Sequence, residues 1–466
     1  MDETVVPVIP SGSGHRDIRR NNLEVVLRHL SLVGPDSRAS IAARAGLTRS
    51  TISRLVGELM DLGLVRETGP HQARGIGRPA TLLELDGRHV LAVGAEINVD
   101  YLAVLVTDLA GREVYEQRRA YDAIADGPGD SITALAGLCR EALGALAGPR
   151  GRRQPFIAGL TVAVPGLVDA PARTVTLAPN LRWSGVPVAG RLGELLRLGP
   201  VPVSVGNDAS LAAMAEYRVG SHAGTPDLIY ITGEMGIGGG IVVDGRPLLG
   251  VRGFGGEIGH MKLDPGGPVC GCGRRGCWEA RIGLHALLRA VFPDGPDRHG
   301  LDSGEPPEVK AAAVARLARS GDAQVLTALA EVGRWVGIGA ANLANVFDPR
   351  AIILGGYFTL LADWILPPAA GALADGVLAP QAGGCALTTS SLGFSAAARG
   401  GAINIADQII SNPALLDNRA LPRYPPASAK AIVCPVPVLV TSARRRPGGE
   451  AGCVVAGCAV AGCVRR

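Results

Sequence analysis

The first repeated pattern along the chain is that of short amphipathic helices. Apolar residues recur at the i, i+3, i+4, i+7 spacing of one helical face, at Leu23, Val26, Leu27 and Leu30. A second short helix over 40–45 is ended by Gly46. Thr48 then follows as an N-cap, because its hydroxyl can accept a hydrogen bond from a backbone N–H at the start of a helix. The spacing therefore predicts three helices in close succession.

The third predicted helix has two different faces. Its apolar face consists of Ile52, Leu55, Val56 and Leu59. The other face, together with the cap Thr48, carries short polar side chains and arginines: Arg49, Ser50, Thr51, Ser53 and Arg54. Such side chains suit base edges and phosphates in a major groove. We therefore interpret this helix as the recognition helix of a helix-turn-helix.

Two short strands, LGLVRETG and TLLELD, enclose the glycine- and arginine-rich segment HQARGIGRPA. Arg74 and Arg78 in this segment are suited to a minor groove, where a narrow A·T tract concentrates negative potential. Residues 15–80 contain eleven arginines against six aspartates and glutamates, a modest electrostatic footprint for nucleic acid. The pattern predicts a winged helix-turn-helix over 15–86 that binds double-stranded DNA. The alternative is a small helical domain that mediates only protein contacts.

The pattern changes from about residue 88 to that of an α/β body. The runs VLAVGAEI, YLAVLVTDLAG and EVYEQRRAY predict a three-stranded meander, followed by a helix at SITALAGLCREALGALAG. FIAGLTVAVPG, PVSVGND, DLIYIT and GGGIVVDG are further apolar strands that end in Gly, Asn or Asp. Strand ends followed by such turns are where α/β proteins place ligands.

The totals fit this organisation. The 466 residues suffice for about three domains at about 150 residues each, and a 47% hydrophobic, 4% aromatic composition predicts a core of Ala, Val, Leu and Ile. A formal net charge of +4 is too small to identify a partner. No apolar run resembles a signal peptide or a membrane span, so we expect a cytoplasmic protein. Its nine cysteines would be mostly reduced there, which favours metal binding over disulfides.

One cysteine cluster is dense enough to predict a metal site. The run GEIGHMKLDPGGPVCGCGRRGCWEA contains one imidazole and three thiols at His260, Cys270, Cys272 and Cys277. This donor set fits a four-coordinate Zn²⁺, and four protein ligands leave no open position, so the zinc would be structural. The alternative is three free thiols and an unrelated histidine.

Both ends of the chain are compositionally biased. Residues 1–14 are rich in Pro, Ser and Gly, which predicts a flexible arm. Residues 416–466 form a low-complexity tail with Cys453, Cys458 and Cys463 five residues apart. We expect this tail to be disordered or accessory, with a second metal or redox site as the alternative.

Taken together, these segments resemble the ROK family, named for repressors, uncharacterised open reading frames and sugar kinases. The matching segments over about 88–410 are VAVPGLVD, LAPNLRW, VGNDASLAAMAE, GIGGGIVVDG, GEIGH, CGCGRRGCWE and NVFDPRAIILGG. With the winged helix in front, the chain resembles the repressor branch. The resemblance implies an actin-like, ribonuclease-H-like body with lobe 1 over 88–205 and lobe 2 over 206–410, whose last helix returns to lobe 1.

The resemblance also implies a sugar-binding site. The family's sugar contacts fall on Asn180, Asn207, Asp208, Glu257, His260 and Glu279. Carboxylates, amides and imidazole match sugar hydroxyls, which both donate and accept. His260 would bind zinc through one ring nitrogen and a sugar hydroxyl through the other. Helix capping or a surface ion pair is the alternative role for Asp208 and Glu257.

The chain departs from the family's kinases on the ATP side. Asp208 corresponds to the kinase base, but the family's Asp-x-Gly-Gly-Thr phosphate turn is replaced by residues 96–100, Glu-Ile-Asn-Val-Asp. The second turn, Gly-Thr-Gly in the family, reads Glu234-Met235-Gly236. Both changes remove phosphate-binding features and add acidic side chains. They predict a body without kinase activity and no catalytic residue.

Three functions are open at this point. The first is a regulator, typically a repressor of carbohydrate uptake or catabolism genes, that binds a DNA operator and responds to a sugar or sugar phosphate. The second is an ATP-dependent hexokinase-type enzyme with an appended DNA-binding domain. The third is a regulator controlled by a protein partner. The resemblance and the symmetry of most operators predict a homodimer or homotetramer, without a role at membranes.

Overall fold

The computed structural model describes residues 15–71, 80–147, 155–199, 201–296, 301, 305–378 and 384–416. Its helices are α1 His15–Val33, α2 Arg38–Ala45, α3 Arg49–Asp61, α4 Ala123–Leu146, α5 Val188–Leu196, α6 Asp208–Val219, α7 Glu279–Ile282, α8 Leu284–Val291, α9 Pro307–Arg319, α10 Ala323–Phe347, α11 Ala362–Gly376 and α12 Ala396–Ser411. None of these described helices is both long enough and apolar enough to cross a bilayer.

The strands are β1 Asp36–Ser37, β2 Val65–His71, β3 Ala80–Leu85, β4 Val90–Ile97, β5 Tyr101–Asp108, β6 Glu113–Ala120, β7 Phe156–Val164, β8 Leu167–Asp169, β9 Thr174–Ala178, β10 Trp183–Val186, β11 Val203–Asn207, β12 Leu228–Gly233, β13 Ile237–Val243, β14 Arg246–Pro247, β15 Ala351–Gly356 and β16 Ala386–Thr389. Arg74, Arg78, the 1–14 arm and the three tail cysteines lie outside the described residues.

The N-terminal module consists of α1, α2 and α3 followed by the antiparallel pair β2 and β3. The four apolar residues predicted to share one face of α1 are at most 5% exposed, and the four on α3 are fully buried. The side chain of Thr48 accepts a hydrogen bond from the Thr51 N–H at 3.2 Å, as predicted for an N-cap. A two-residue strand, β1, also pairs with β3; it is too short to leave a sequence pattern.

The first sheet of the body has the order β11-β7-β4-β5-β6. β4, β5 and β6 form the predicted antiparallel meander, while β7 and β11 pair in parallel with their neighbours. β11 ends at Asn207, so this sheet extends two residues beyond the lobe boundary predicted at 205. α4 begins at Ala123, before the predicted Ser131, because Asp122 caps its first turn and a kink at Gly127 joins that turn to the main helix.

The second sheet has the order β14-β13-β12-β15-β16. β12 pairs in parallel with β15 and antiparallel with β13. α7, α8, α10 and α11 contribute to the hydrophobic core beside it. Polar residues gather where the first sheet ends at Asn207 and where β12 turns into β13.

Helix α12 joins the three parts of the described chain. It contacts β4, β5 and β7 of the first sheet, α6 of the second lobe and α1 of the N-terminal module. Its residues Ile405, Ile409 and Ile410 belong to the same buried cluster as the core of the helix-turn-helix. A short 3-10 turn, Pro413–Leu416, follows it and includes Leu416, the first residue of the predicted tail.

Candidate ligand cleft and nucleic-acid interface

A cavity of about 660 Å³, open to solvent, brings together all six residues predicted to contact a sugar. Its lining includes Asn180, Asn207, Asp208, Glu257, His260 and Glu279. These residues come from four separate segments of the chain. Much of the remaining wall is backbone, because the β12–β13 turn and β13 are rich in glycine. At Gly236, a Cβ atom would lie 2.5 Å from both the Asn180 amide nitrogen and a Glu279 carboxylate oxygen.

Asp208 is the first residue of α6 and is 9% exposed. Its Oδ1 accepts a hydrogen bond from the Ala209 N–H at 2.8 Å. Burial raises the pKa of its carboxyl from 3.8 to about 6, although backbone hydrogen bonds act in the opposite direction. Near neutral pH, Asp208 is therefore a carboxylate with an increased tendency to take a proton.

Asn207 fixes the position of Asp208. Its Oδ1 accepts from the Ser210 N–H at 2.9 Å and so caps α6. Its Nδ2 donates to the carbonyl of Gly166 at 3.1 Å. Both polar ends of this side chain thus have partners in the protein, and capping is a role of Asn207 rather than of Asp208.

Glu279 connects the cavity to the cysteine cluster. Its Oε2 accepts from the Ile237 N–H at 3.0 Å, and its Oε1 lies 3.2 Å from the Cys270 sulfur. Glu257 is exposed at the opening of the cavity. Asn180 belongs to the 3-10 turn Pro179–Leu181, and the left-handed residue Arg182 ends that turn.

The four predicted metal ligands also meet in space. The donor atoms of His260, Cys270, Cys272 and Cys277 all lie within 4.8 Å of one another. Cys272 Sγ is 3.7 Å from Cys277 Sγ, and Cys270 Sγ is 3.8 Å from His260 Nδ1. Bonds of about 2.3 Å to sulfur in a tetrahedral site place ligand atoms at about this separation. The residues therefore fit one four-coordinate ion.

A buried hydrogen-bond network lies where the family's two phosphate turns are replaced in this chain. It consists of Glu96, Asn98, Tyr101 and Glu234 and is here called the carboxyl network. Tyr101 OH lies 2.5 Å from Glu96 Oε1 and 3.0 Å from Glu234 Oε2. Asn98 Nδ2 donates to Glu96 Oε1 at 3.1 Å and to Glu234 Oε2 at 2.6 Å. The network links β4 and β5 of the first sheet to the end of β12.

Burial shifts the pKa values of the two glutamates in the carboxyl network upward. A phenol has one hydrogen, so Tyr101 donates to only one of its two carboxyl partners. Burial, followed by the charge of Glu96, raises the pKa of Glu234 well above its usual range. Burial also raises the pKa of Glu96. Both shifts favour the neutral carboxyl, so burial and the proximity of the two groups oppose a negative charge on both Glu96 and Glu234.

Two cationic side chains near this network, Arg118 and Lys310, each lie next to an acidic side chain. The Arg118 guanidinium is 3.5 Å from the centre of the Tyr101 ring and forms an ion pair with Glu308 at 2.8 Å. Lys310 Nζ is 3.8 Å from Asp100 Oδ2. Burial raises the pKa of Asp100 to about 6, and Lys310 opposes that rise. The sequence predicted Asp100 and Glu234 as acids added to the phosphate turns, but it indicated no role for Tyr101 or Arg118.

The predicted nucleic-acid interface lies on α3. Thr48, Arg49, Ser50, Ser53 and Arg54 are exposed and Thr51 is half-buried, while the opposite face is packed. Neither Arg49 nor Arg54 forms a described ion pair with an acidic side chain, which leaves this face cationic. Arg74 and Arg78 of the wing belong to the part of the chain outside the described ranges.

Comparisons with known proteins agree with this arrangement. The ROK family model matches residues 92–408 and the MarR family model matches residues 25–75. The xylose repressor of Bacillus subtilis is 29% identical over 82% of this chain and 94% of its own length. A glucokinase of Streptomyces coelicolor is 35% identical over 46% of this chain and 68% of its own.

A solved structure gives the same outline. The crystal structure of a ROK family transcriptional regulator, a homologue of the Escherichia coli MLC protein, has a TM-score of 0.69 and is 24% identical. The match covers 86% of this chain and 98% of that one. The predicted fold class, a helix-turn-helix in front of an actin-like body, is confirmed.

Proposed function

Because this chain belongs to the ROK family and has a helix-turn-helix before its body, we propose that it is a sugar-responsive repressor of carbohydrate uptake or catabolism genes. The observation that carries this proposal is the position of α12, which contacts both α1 of the DNA-binding module and α6 of the cleft. A ligand held at Asp208 and a DNA duplex held on α3 are thereby connected through packed helices.

The DNA-binding role belongs to the exposed face of α3. Arg49 and Arg54 would contact phosphates or guanine edges, and Ser50, Thr51 and Ser53 would contact neighbouring bases, with Thr48 at the phosphate backbone. Arg74 and Arg78 would contact the minor groove from the wing. Two copies in a homodimer or homotetramer would present two such helices to the two halves of an operator.

The sugar-binding role belongs to the lined cavity. Asp208, Glu257 and Glu279 would accept hydrogen bonds from hydroxyls, while the amide of Asn180 and the imidazole of His260 would provide further contacts. Asn207 would act by holding Asp208 in place through its cap on α6. A sugar that bound one arrangement of the two lobes better than the other would shift the population of that arrangement.

A structural Zn²⁺ would be held by His260, Cys270, Cys272 and Cys277. The ion supplies a fixed anchor for the loop that carries Glu257 and for the ring that faces the cavity. Nδ1 of His260 lies toward Cys270, which leaves Nε2 for a ligand hydroxyl. Four protein donors complete a tetrahedral shell, so these residues give the ion a structural role.

We further propose that the body has no kinase activity. Residues 98–100 and Glu234 replace residues of the family's glycine-rich phosphate turns, and Asp100 and Glu234 add carboxyl groups there. Phosphoryl transfer depends on positioning and charge stabilisation, and these groups supply neither. Asp208 would then accept a hydrogen bond from a sugar hydroxyl without removing its proton, because that hydroxyl would have no phosphate to attack.

Helix α12 provides the physical route between the two sites. Arg218 on α6 donates two hydrogen bonds to Asp407 on α12, at 2.7 and 2.8 Å. One turn further along, at the C-terminal end of α12, Arg28 of α1 donates to Ser411 at 3.0 Å. A Cβ atom at Gly400 would lie 1.9 Å from the Leu211 carbonyl oxygen of α6, so these two helices touch backbone to backbone.

The proposal is tested by following operator binding while sugars are added to the full chain. Operator fragments are obtained by sequencing the DNA that the protein retains, and affinity is read by fluorescence anisotropy at fixed salt. We expect at least one sugar to change operator affinity by about tenfold or more and Asp208→Ala to abolish that change. Asp363→Ala, an exposed aspartate on α11, is the matched control.

Two further variants separate binding from communication. Arg54→Ala should weaken operator binding by about tenfold, while Arg334→Ala, on the exposed face of α10, should leave it unchanged.

Gly400→Ala should keep sugar binding but reduce the effect of the sugar on operator affinity, because the added methyl separates α12 from α6. A full sugar response in Gly400→Ala would exclude α12 as the route.

A further inference from the structure

A second cavity lies where β11 meets α6. It measures about 1120 Å³ and is open to solvent, against about 660 Å³ for the first cavity, which contains Asp208. Its walls come from β7, β8 and β11 of the first lobe, from α6 and the loop after β14 of the second lobe, and from α12. Of the residues that the structure describes, Asn207 alone lines both cavities. The second cavity is therefore a separate site that adjoins the first.

The lining of the second cavity is mainly apolar. Apolar side chains are contributed by Val168, Leu211, Met214, Leu249 and Ile403. Asp407 is the one ionisable side chain among the described residues that line this cavity. Both Asp407 carboxylate oxygens accept hydrogen bonds from Arg218, at 2.7 and 2.8 Å. Clefts that bind small molecules have this composition, with apolar walls and a few polar groups that orient the ligand.

Two polar side chains of the lining have no partner within the described part of the chain. Ser210 is 9% exposed, and only its backbone N–H forms a hydrogen bond to a side chain there. Gln408 is half-buried, and its side-chain amide has no described hydrogen bond either. Thr161, by contrast, is satisfied by Ser204 at 2.9 Å and by the Asn404 amide at 3.1 Å. Because buried polar groups are normally hydrogen-bonded, Ser210 and Gln408 are suited to the polar end of a ligand.

The loop after β14 connects the two cavities. Leu249 and Gly253 line the second cavity, and the same loop continues to Gly256 and Glu257, which line the first. A Cβ atom at Gly253 would lie 2.9 Å from the Val168 carbonyl oxygen, so the loop also touches the first lobe. A molecule in the second cavity would therefore contact the segment that positions Glu257.

Helix α12 forms another wall of the second cavity. Its lining residues come from two successive turns and are Ile403, Asn404, Asp407 and Gln408. A molecule that reached both Gln408 and Met214 would contact α12 and α6 together. Because α12 also contacts α1 of the helix-turn-helix, such a molecule would shift the population toward the arrangement of these helices that it binds better.

From this arrangement we propose that the second cavity binds a small, uncharged and mainly apolar molecule with a hydroxyl, carbonyl or amide group, and that this molecule changes operator affinity through α12. Its apolar part would pack against Leu211, Met214 and Ile403, and its polar group would pair with Ser210 or Gln408. A charged molecule is disfavoured, because Asp407 and Arg218 neutralise each other and an ion would lose its hydration without a counter-charge. The binding site stands independently of the proposed function, whereas the effect on operator affinity rests on it.

Binding is tested by titrating the full chain at pH 7.5 with Nile red, an uncharged dye whose fluorescence increases in apolar surroundings. We expect saturable binding of about one equivalent. Benzyl alcohol should displace the dye about tenfold more effectively than benzoate or benzylammonium, which have the same ring but carry a charge. Failure of the dye to saturate would overturn the proposed site. Equal displacement by all three competitors would contradict the uncharged ligand class.

The location of the dye is tested by two neighbouring leucines, which are both 41% exposed. Leu249 lines the cavity and Leu248 does not. Leu249→Asp should weaken Nile red binding by about tenfold, while Leu248→Asp should change it by less than about twofold. Met214→Trp, which fills the cavity from α6, should abolish binding, and thermal melting of each variant checks that the fold is intact. If neither Leu249→Asp nor Met214→Trp weakens binding, the dye lies elsewhere and the proposal is wrong.

The effect on DNA is tested by measuring operator affinity with and without saturating benzyl alcohol. We expect a change of about threefold or more that disappears in Met214→Trp. If operator affinity responds to a sugar but not to benzyl alcohol in the occupied cavity, the action through α12 is wrong and only the binding site stands. If the chain binds no operator, the proposed regulatory function is wrong, and the dye titration still decides whether the site exists.

Discussion

The two sides of the cleft contain similar numbers of acidic residues but use them differently. On one side, Asp208, Glu257 and Glu279 line an open cavity beside the cysteine cluster. On the other, Glu96 and Glu234 are joined to each other through Asn98 and Tyr101. The first side presents polar atoms to a ligand. The second directs most of its hydrogen-bonding groups toward one another, although Glu96 Oε2 is buried without a partner.

This difference shows how a family of sugar kinases and regulators can share one fold. Function follows the site rather than the fold. Under the proposed function, retaining the hydroxyl-binding side would preserve recognition of a ligand, and filling the phosphate side with the protein's own side chains would prevent binding of a second, phosphorylated substrate. The filled side also ties the two lobes together, since Asn98 belongs to the first lobe and Glu234 to the second.

The largest expected effect comes from removing one ligand of the proposed zinc site, which lies beside the open cavity. Cys277→Ser should reduce bound zinc from about one equivalent to a trace and lower the melting temperature by on the order of 10 °C, because the ion stabilises the folded loop. Metal analysis and thermal melting measure the two changes. Cys385→Ser, a cysteine outside the cluster, is the control. A native melting temperature with no metal in Cys277→Ser would show that the four residues pack without an ion.

A smaller effect is expected from the buried charge of Asp208. Its pKa of about 6 in the folded chain exceeds its unfolded value near 3.8, so the proton stabilises the fold below about pH 4 and this contribution is lost as the pH rises through 6. Asp208→Asn should therefore raise the free energy of unfolding by up to about 3 kcal/mol at pH 8 and by little at pH 4. Urea unfolding at both pH values measures this difference.

The control for that experiment is Asp363→Asn, which should change stability by less than about 0.5 kcal/mol at either pH. Equal effects of Asp208→Asn at pH 4 and pH 8 would show that the buried carboxyl does not titrate in this range. Asp208→Asn also tests the role of Asp208 in ligand binding, because the asparagine retains a hydrogen-bonding group but has no negative charge.

The smallest of these effects is expected on the filled side. Tyr101→Phe removes the hydroxyl that contacts both Glu96 and Glu234, which leaves buried carboxyl oxygens with fewer partners. The free energy of unfolding should fall by about 1–3 kcal/mol. Tyr115→Phe, whose hydroxyl contacts only the partly exposed Gln117, should cost about 0.5 kcal/mol or less. Equal losses in the two variants would mean that the carboxyl network adds nothing to stability.

Local patterns in the sequence were enough to predict much of this molecule. The apolar spacing of α1 and α3, the cap at Thr48 and the strand meander are short-range features, and the structure contains each of them. The cysteine cluster was equally visible because its ligands lie within 18 residues of one another. The cavity residues were found by resemblance to motifs, which carry information that periodicity does not.

The carboxyl network was beyond such reasoning. Asn98 and Glu234 are separated by 136 positions, and neither residue has a pattern that indicates its partner. Asp100 and Glu234 were predicted only as departures from a phosphate site, so the sequence showed which phosphate-binding features are missing but not the hydrogen bonds that stand in their place. The contact between α12 and α1 could not be predicted for the same reason, because Arg28 and Ser411 are 383 positions apart.

The most direct test of the account follows two signals in one preparation of the full chain. Operator affinity and ADP release are measured together while neutral sugars are added in the presence of ATP and Mg²⁺. The account predicts a sugar that changes operator affinity, with no ADP release above the protein-free control, and loss of the affinity change in Asp208→Ala. Sugar-dependent ADP release that disappears in Asp208→Ala would contradict it, because a working phosphate site would then exist where the carboxyl network lies.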